Sequence, residues 1–121
     1  ENIQATIDLI KSFKKKVGLA INPDTDIKQL VPYLDSIDQI IIMSVYPGFA
    51  GQSFIENTID RISSVKKMIE HRQIEIEVDG GINSLVSGRC IDAGSSILVA
   101  GSAVFKGSLY KENIQIIRNN K

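Results

Sequence analysis

The sequence predicts an α/β fold built on a parallel sheet. Three observations carry that prediction. Four short, β-branched apolar runs recur, their starts separated by roughly 20 to 35 residues, the size of successive βα units. Between them lie stretches whose apolar residues fall at helical spacing. Three of the four runs pass directly into glycine-containing loops. Regular strand–helix alternation of this kind goes with parallel strands and right-handed crossovers.

The elements follow in order. From Ile3 to Lys16, Ile3, Ile7, Ile10 and Phe13 (or Lys14) recur at helical spacing, with charges opposite. Val17 to Ile21 is the first strand. A short helix from Ile27 to Leu34 opens after Pro23-Asp24-Thr25-Asp26, a good capping stretch. Gln39 to Val45 is the second strand, and Ile55 to His71 a helix with Ile55, Ile59, Ile62, Val65 and Ile69 on one stripe. Ile74 to Asp79 alternates Ile and Glu, so one face of this third strand meets polar surroundings. Ser84 to Ala93 is helical after Asn83, with Leu85 or Val86, and Cys90 or Ile91, turned inward. Ser96 to Gly101 is the fourth strand, and a helix from Tyr110 to Arg118 closes the order α-β-α-β-α-β-α-β-α. Two of the strand runs are nearly continuous hydrophobes, the pattern of strands buried on both faces. The first element is a helix without a preceding strand, which reads as a piece of something longer.

Composition narrows the functional classes. Fourteen Lys+Arg balance 14 Asp+Glu over 121 residues, so no cationic excess exists to displace counterions from nucleic acid. The Ile/Val/Leu content excludes disorder for most of the chain. No apolar run reaches the ~18 residues of a membrane span. Glu1-Asn2-Ile3-Gln4 has neither Met, basic cluster nor signal-peptide core. A lone cysteine, Cys90, forbids an internal disulfide and fits a reducing compartment, so a cytoplasmic location is expected.

In parallel α/β folds functional groups collect at the C-terminal ends of strands. Those ends lead into Asn22-Pro23, then Tyr46-Pro47-Gly48-Phe49-Ala50-Gly51-Gln52-Ser53-Phe54, then Gly80-Gly81-Ile82-Asn83, and finally Gly101-Ser102-Ala103. Glycine lets backbone N–H groups approach an anion, and the last two loops run straight into a helix or short turn. Each loop taken singly reads as a tight turn; all of them on one rim favour a phosphate cradle. Asp79 ends a strand before two glycines, where a carboxylate can ligate a metal or move protons. As a helix cap it is outranked by Asn83 and Ser84. His71, in a charged stretch leading into a strand, belongs to the opposite, stability face and reads as a solvated helix-end residue. Cys90 reads as a buried small apolar side chain, and Lys14-Lys15-Lys16 as cations at a helix end. Met43 belongs to the core or forms an apolar floor under a substrate.

Read in order, these loops resemble one family. Met43-Ser44-Val45-Tyr46-Pro47-Gly48-Phe49-Ala50-Gly51-Gln52-Ser53-Phe54 resembles the ribulose-phosphate 3-epimerase signature MSVxPGFGGQxF. Glu77 to Ile82 resembles its EVDGGI, Val99 to Phe105 its VAGSAIF, and Gly18 to Thr25 its GVALNPxTP, so the motifs cover roughly residues 17 to 106. The resemblance implies a (β/α)8 TIM barrel of about 200 to 250 residues, with residues 1–121 as its C-terminal half. It implies epimerisation at C3 of a ketose phosphate, D-ribulose 5-phosphate to D-xylulose 5-phosphate, by two aspartates around one divalent metal (Zn, Fe, Mn or Co). Asp79 matches one catalytic aspartate and metal ligand. Gly48, Phe49, Ala50 and Gly51 match the loop that touches substrate. Gly80, Gly81, Gly101 and Ser102 match the phosphate clamp, and Met43 the apolar residue beneath the reacting carbons.

Ala50 departs from the usual glycine, and related hexulose-phosphate epimerases also carry GFAGQ, which keeps an allulose-type hexulose-6-phosphate 3-epimerase as the alternative. The family's metal-binding histidines, other aspartate and a serine belong to strands absent from these residues. The isolated chain is therefore expected to be inactive. Four strands cut from a barrel leave two unpaired edges and an exposed inner layer. A homo-oligomer is expected, with a sugar phosphate as ligand and neither nucleic acid nor membrane as partner. A non-catalytic, phosphate-binding half-barrel is the reading from another class.

Overall fold

The computed structural model describes residues 2–49 and 51–119. The chain runs α1 (Ile3–Ser12), β1 (Gly18–Ile21), a 3-10 segment (Ile27–Tyr33), β2 (Gln39–Met43), α2 (Thr58–Ile69), β3 (Glu75–Asp79), α3 (Ser87–Ala93), β4 (Ile97–Val99), α4 (Ser102–Phe105) and α5 (Tyr110–Asn119). The strands form one parallel sheet whose spatial order, β1-β2-β3-β4, is the chain order. A doubly wound sheet would reverse its order partway. An unbroken order is what an arc of a barrel has.

The register fixes which side chains share a face. Leu19, Ile40 and Ile76 form one row across the sheet, and Ile21, Ile42, Val78 and Leu98 the next. This face lies under the helices: Ile40, Ile42, Ile76 and Val78 are buried together with Ile7 of α1, Ile62, Val65 and Ile69 of α2, Cys90 of α3 and Ile117 of α5. The other face carries Ala20, Ile41, Glu77 and Ile97 in one row and Met43, Asp79 and Val99 in the next. These residues stay half-buried or exposed. The apolar run of β2 thus predicts burial on both faces but is covered on one, because the described elements pack on the far side only. Glu75 and Glu77 stand on the open face, as the Ile/Glu alternation predicts, and the Gln39 amide donates to Glu77 Oε2 across it.

Several ends differ from the sequence reading for local reasons. Asn2 Oδ1 accepts from Ala5 N at 3.1 Å and starts α1. The helix stops at Ser12 rather than Lys16, because Lys14 takes φ +56°. Phe13, expected on the buried stripe, is 68% exposed. The segment after Asp26 is 3-10 rather than α: Asp26 caps Lys28 N at 2.9 Å, and Pro32 inside it offers no N–H to an α ladder. Helix α2 begins at Thr58 rather than Ile55: the residues before it close i+3 turns, Thr58 N to Ile55 O at 3.0 Å and Ile59 N to Glu56 O at 3.2 Å. Asn83 does cap, but it caps the turn before α3: its Oδ1 accepts from Leu85 N at 2.8 Å. That turn exposes Leu85 and buries Val86.

Cys90 is fully buried and free, and burial pushes its thiol up to about 11. The thiolate needed for attack is therefore scarce at neutral pH. An aromatic disulfide reagent is expected to leave Cys90 unlabelled in native buffer and to label it fully after unfolding in guanidinium. Labelling within minutes in native buffer would contradict its burial.

Candidate functional site

Because all four strands are parallel, their C-terminal ends share one rim. The loops leaving β2, β3 and β4 there surround an open depression of about 1370 Å³. Met43 and Asp79 line it from the strand ends, and Gly48, Phe49 and Gly51 from the loop after β2. Gly80 and Gly81 complete the wall after β3, and Gly101 and Ser102 after β4. Every predicted site residue is thus brought together except Ala50, which lies outside the described residues.

Asp79 is the only acidic side chain lining this depression among the described residues. It sits in register with Met43 on one side and Val99 on the other. Its carboxylate takes no hydrogen bond or ion pair from the described residues, which leaves both oxygens for a ligand. A catalytic metal site needs about three protein ligands. Among the described residues no three His, Cys, Asp or Glu side chains come together, so this chain by itself does not fit the metal.

The two glycines after Asp79 are structurally required. Gly80 has φ +128°, and a Cβ there would meet Val45 Cγ2 at 2.6 Å and Val45 N at 2.9 Å. Gly81 has φ +63°, and its Cβ would meet Phe54 N at 2.6 Å and Gln52 O at 3.0 Å. The loop after β2 therefore lies directly against Gly81. Within that loop, Gln52 Nε2 donates to Tyr46 O at 2.7 Å and to Phe49 O at 3.1 Å, which gathers the turn and leaves Phe49 74% exposed over the rim. Where the loop joins α2, Glu56 pairs with Arg89 at 2.5 Å, and the guanidinium holds that carboxyl below its ordinary value.

After β4, Gly101 O accepts from Val104 N at 3.0 Å and Phe105 N at 3.1 Å, closing the single turn α4. One turn sums too few peptide dipoles to act as a macrodipole. What it offers an anion is the N–H groups of Ser102 and Ala103, which have no carbonyl within the turn to bond. Asn113 of α5 fixes the other end, donating to Val104 O at 2.9 Å and Lys106 O at 3.1 Å.

His71 stands at the opposite end of the sheet, its side chain 89% exposed and 3.9 Å from Glu70. It does not line the depression. Three supporting residues escape the sequence reading: Ser44, Gln52 and Asn113. Ser44 alone left a signal, a hydroxyl interrupting an aliphatic run, which a buried strand tolerates only if it is hydrogen-bonded.

The model of the ribulose-phosphate 3-epimerase family matches residues 1–105. The chain belongs to the ribulose-phosphate 3-epimerase family. It is similar to the chloroplastic ribulose-5-phosphate-3-epimerase of Arabidopsis thaliana, with 42% identity over 122 residues, 99% of this chain and 43% of that protein. It is similar to the ribulose-phosphate 3-epimerase of Bacillus subtilis, with 39% identity over 99% of this chain and 57% of that protein. The Escherichia coli K12 ribulose-phosphate 3-epimerase is 40% identical over 98% of this chain and 54% of its own length. The chain thus spans about half the length of the curated relatives it matches. The four parallel strands with flanking helices agree with half of the barrel expected for this epimerase family.

Proposed function

We propose that the chain is the C-terminal half of a (β/α)8 barrel that epimerises D-ribulose 5-phosphate at C3, giving D-xylulose 5-phosphate in the pentose phosphate pathway. The observation that carries this reading is Asp79, the one carboxylate lining the depression among the described residues, set among glycine loops on one rim of a parallel sheet. The names of the relatives support the pentulose as substrate.

The chemistry needs little more than this placement. The C3 proton lies α to the C2 ketone, so its removal leaves a delocalised enediolate. Returning a proton to the other face inverts C3. Two groups must therefore stand on opposite faces of the sugar, and Asp79 supplies one of them. The other falls to the complementary half, since no second acidic side chain among the described residues lines the depression. The N–H groups around Gly81 and Ser102 hold the phosphate, which anchors the reacting carbons over Met43. In the complete barrel Asp79 would be one ligand of a divalent cation able to supply Lewis-acid charge, and the complementary half would have to provide the other ligands. Cys90, a buried free thiol, suits a reducing, cytoplasmic setting. Among the described residues no helix is long and apolar enough to cross a membrane.

The purified chain, with divalent cations added, is expected to show no interconversion of ribulose and xylulose 5-phosphates. Turnover is expected once a complementary N-terminal half is supplied. Activity of the chain alone would overturn the half-barrel assignment. In the complete barrel, a preference for allulose 6-phosphate over ribulose 5-phosphate would move the assignment to the hexulose enzyme. A second reading, a phosphate-binding half-barrel that oligomerises, is favoured by Ile41, Met43 and Val99, which stand half-buried or exposed on the open sheet face. It requires a soluble oligomer on size-exclusion chromatography that binds phosphate without metal.

A further inference from the structure

We propose that Ser44 is a positioning residue for the phosphate-binding backbone: its hydroxyl turns the Gly80–Gly81 peptide so that the Gly81 N–H faces the depression. This inference rests on the phosphate reading of the rim given above.

Ser44 is fully buried, directly after the aliphatic run of β2. A buried hydroxyl costs free energy unless it is hydrogen-bonded. Ser44 makes three hydrogen bonds, two to the end of β3 and one to the start of the chain leading into α2. Its N–H donates to Asp79 O at 2.9 Å, which carries the β2–β3 ladder one residue past the strand end. Its Oγ donates to Gly80 O at 2.5 Å. Its own carbonyl accepts from Ile55 N at 2.9 Å, where the chain turns toward α2.

The bond to Gly80 O decides an orientation. No peptide bond among the described residues is cis. In a trans peptide the C=O and the following N–H lie in one plane and point opposite ways. Gly80 O is drawn toward buried Ser44, so the Gly81 N–H is directed away from it, on the side where Gly80 and Gly81 wall the depression. That N–H has no acceptor among the described residues.

A peptide between two glycines is the kind that flips most easily, because glycine accepts both signs of φ at little cost. Nothing in the Gly-Gly sequence itself holds the N–H outward. The backbone of Gln52 and Phe54 closes on Gly81 from one side, and the Ser44 hydroxyl holds the carbonyl from the other. Ser44 thus preorganises a donor that meets the phosphate without first being ordered. Losing one charge-assisted hydrogen bond of this kind weakens anion binding by about tenfold or more.

The test is a titration of the full ¹⁵N-labelled chain with inorganic phosphate, read at individual backbone amides. In the wild type the Gly81 and Ser102 resonances are both expected to move. In Ser44→Ala the affinity is expected to fall about tenfold or more, and the Gly81 displacement to shrink while that of Ser102 persists at higher phosphate. Ser44→Cys fills nearly the same space with a much weaker donor and is expected to behave likewise, which keeps the test open should Ser44→Ala fail to fold. A Gly81 amide that stays still while Ser102 moves would overturn the role of Ser44 and leave the phosphate site standing. Unchanged affinity in a folded Ser44 variant would overturn it equally. If neither amide moves in the wild type, the phosphate reading fails and this inference goes with it.

Discussion

Asp79→Asn in the complete barrel is expected to lower turnover by about 10² to 10⁴ while the protein stays folded. The amide has nearly the same shape as the carboxylate but neither takes nor gives the proton at neutral pH. Stability is expected to be spared because what Asp79 gives to the fold is backbone: its place in the β3 ladder and the carbonyl that accepts from Ser44 N. Its side chain makes no hydrogen bond to the described residues, so none is lost on substitution. The two-sided chemistry gives a sharper readout than turnover alone. With one acid–base group removed, exchange of the C3 hydrogen with deuterated solvent is expected to persist from the epimer served by the other group and to vanish from the one served by Asp79. Wild-type turnover in a folded Asp79→Asn, or equal exchange from both epimers, would reject the proton-transfer role.

The site was more legible in this sequence than its supports. Asp79, Gly80 and Gly81 could be placed together because a strand pattern ends where they begin, and a parallel sheet carries all such ends to one rim. The stripe through Ile62, Val65 and Ile69 was equally readable, since a helix packed on a sheet must bury one face every turn. What the pattern did not carry is what depends on partners distant in sequence. Apolarity along Gln39–Met43 is the same whether one face is covered or two, and only the register with β1 and β3 shows that Ile41 and Met43 face the open side. Helix ends escaped because they are set by local turn geometry: α2 starts late because Ile55 and Glu56 close i+3 turns that the apolar spacing does not show. Phe13 continues the spacing of Ile7 and Ile10, yet Lys14 takes a left-handed conformation that no periodicity encodes. Gln52 and Asn113 act on backbone carbonyls, a role open to any amide side chain, so their types gave no hint of it.

The glycines of the rim are not equivalent, and that difference is measurable. Gly80→Ala is expected to destabilise the fold by about 2 to 5 kcal/mol, combining a strained positive φ with overpacking. The added methyl carbon would sit 2.6 Å from Val45 Cγ2 and 2.9 Å from Val45 N, and the second of these is backbone that cannot swing aside. Relief would require β2 and β3 to separate at the point where Ser44 joins them. Gly101→Ala is the counterpart: no atom beyond its chain neighbours lies within 4 Å of its Cβ position, and its φ of −102° is outside the left-handed region that favours glycine. Its effect on stability is expected to stay within about 0.5 kcal/mol, measured by urea unfolding of the same protein. Its effect on phosphate affinity is expected to be the larger one, since Gly101 lines the depression proposed to hold the phosphate. Equal losses of stability at both positions would mean that Gly101 is kept for its turn, and the anion-binding role of the β4 loop would have to be withdrawn. A split, with Gly80 read in unfolding and Gly101 in binding, separates the glycine that closes the sheet end from the one that leaves room for a phosphate.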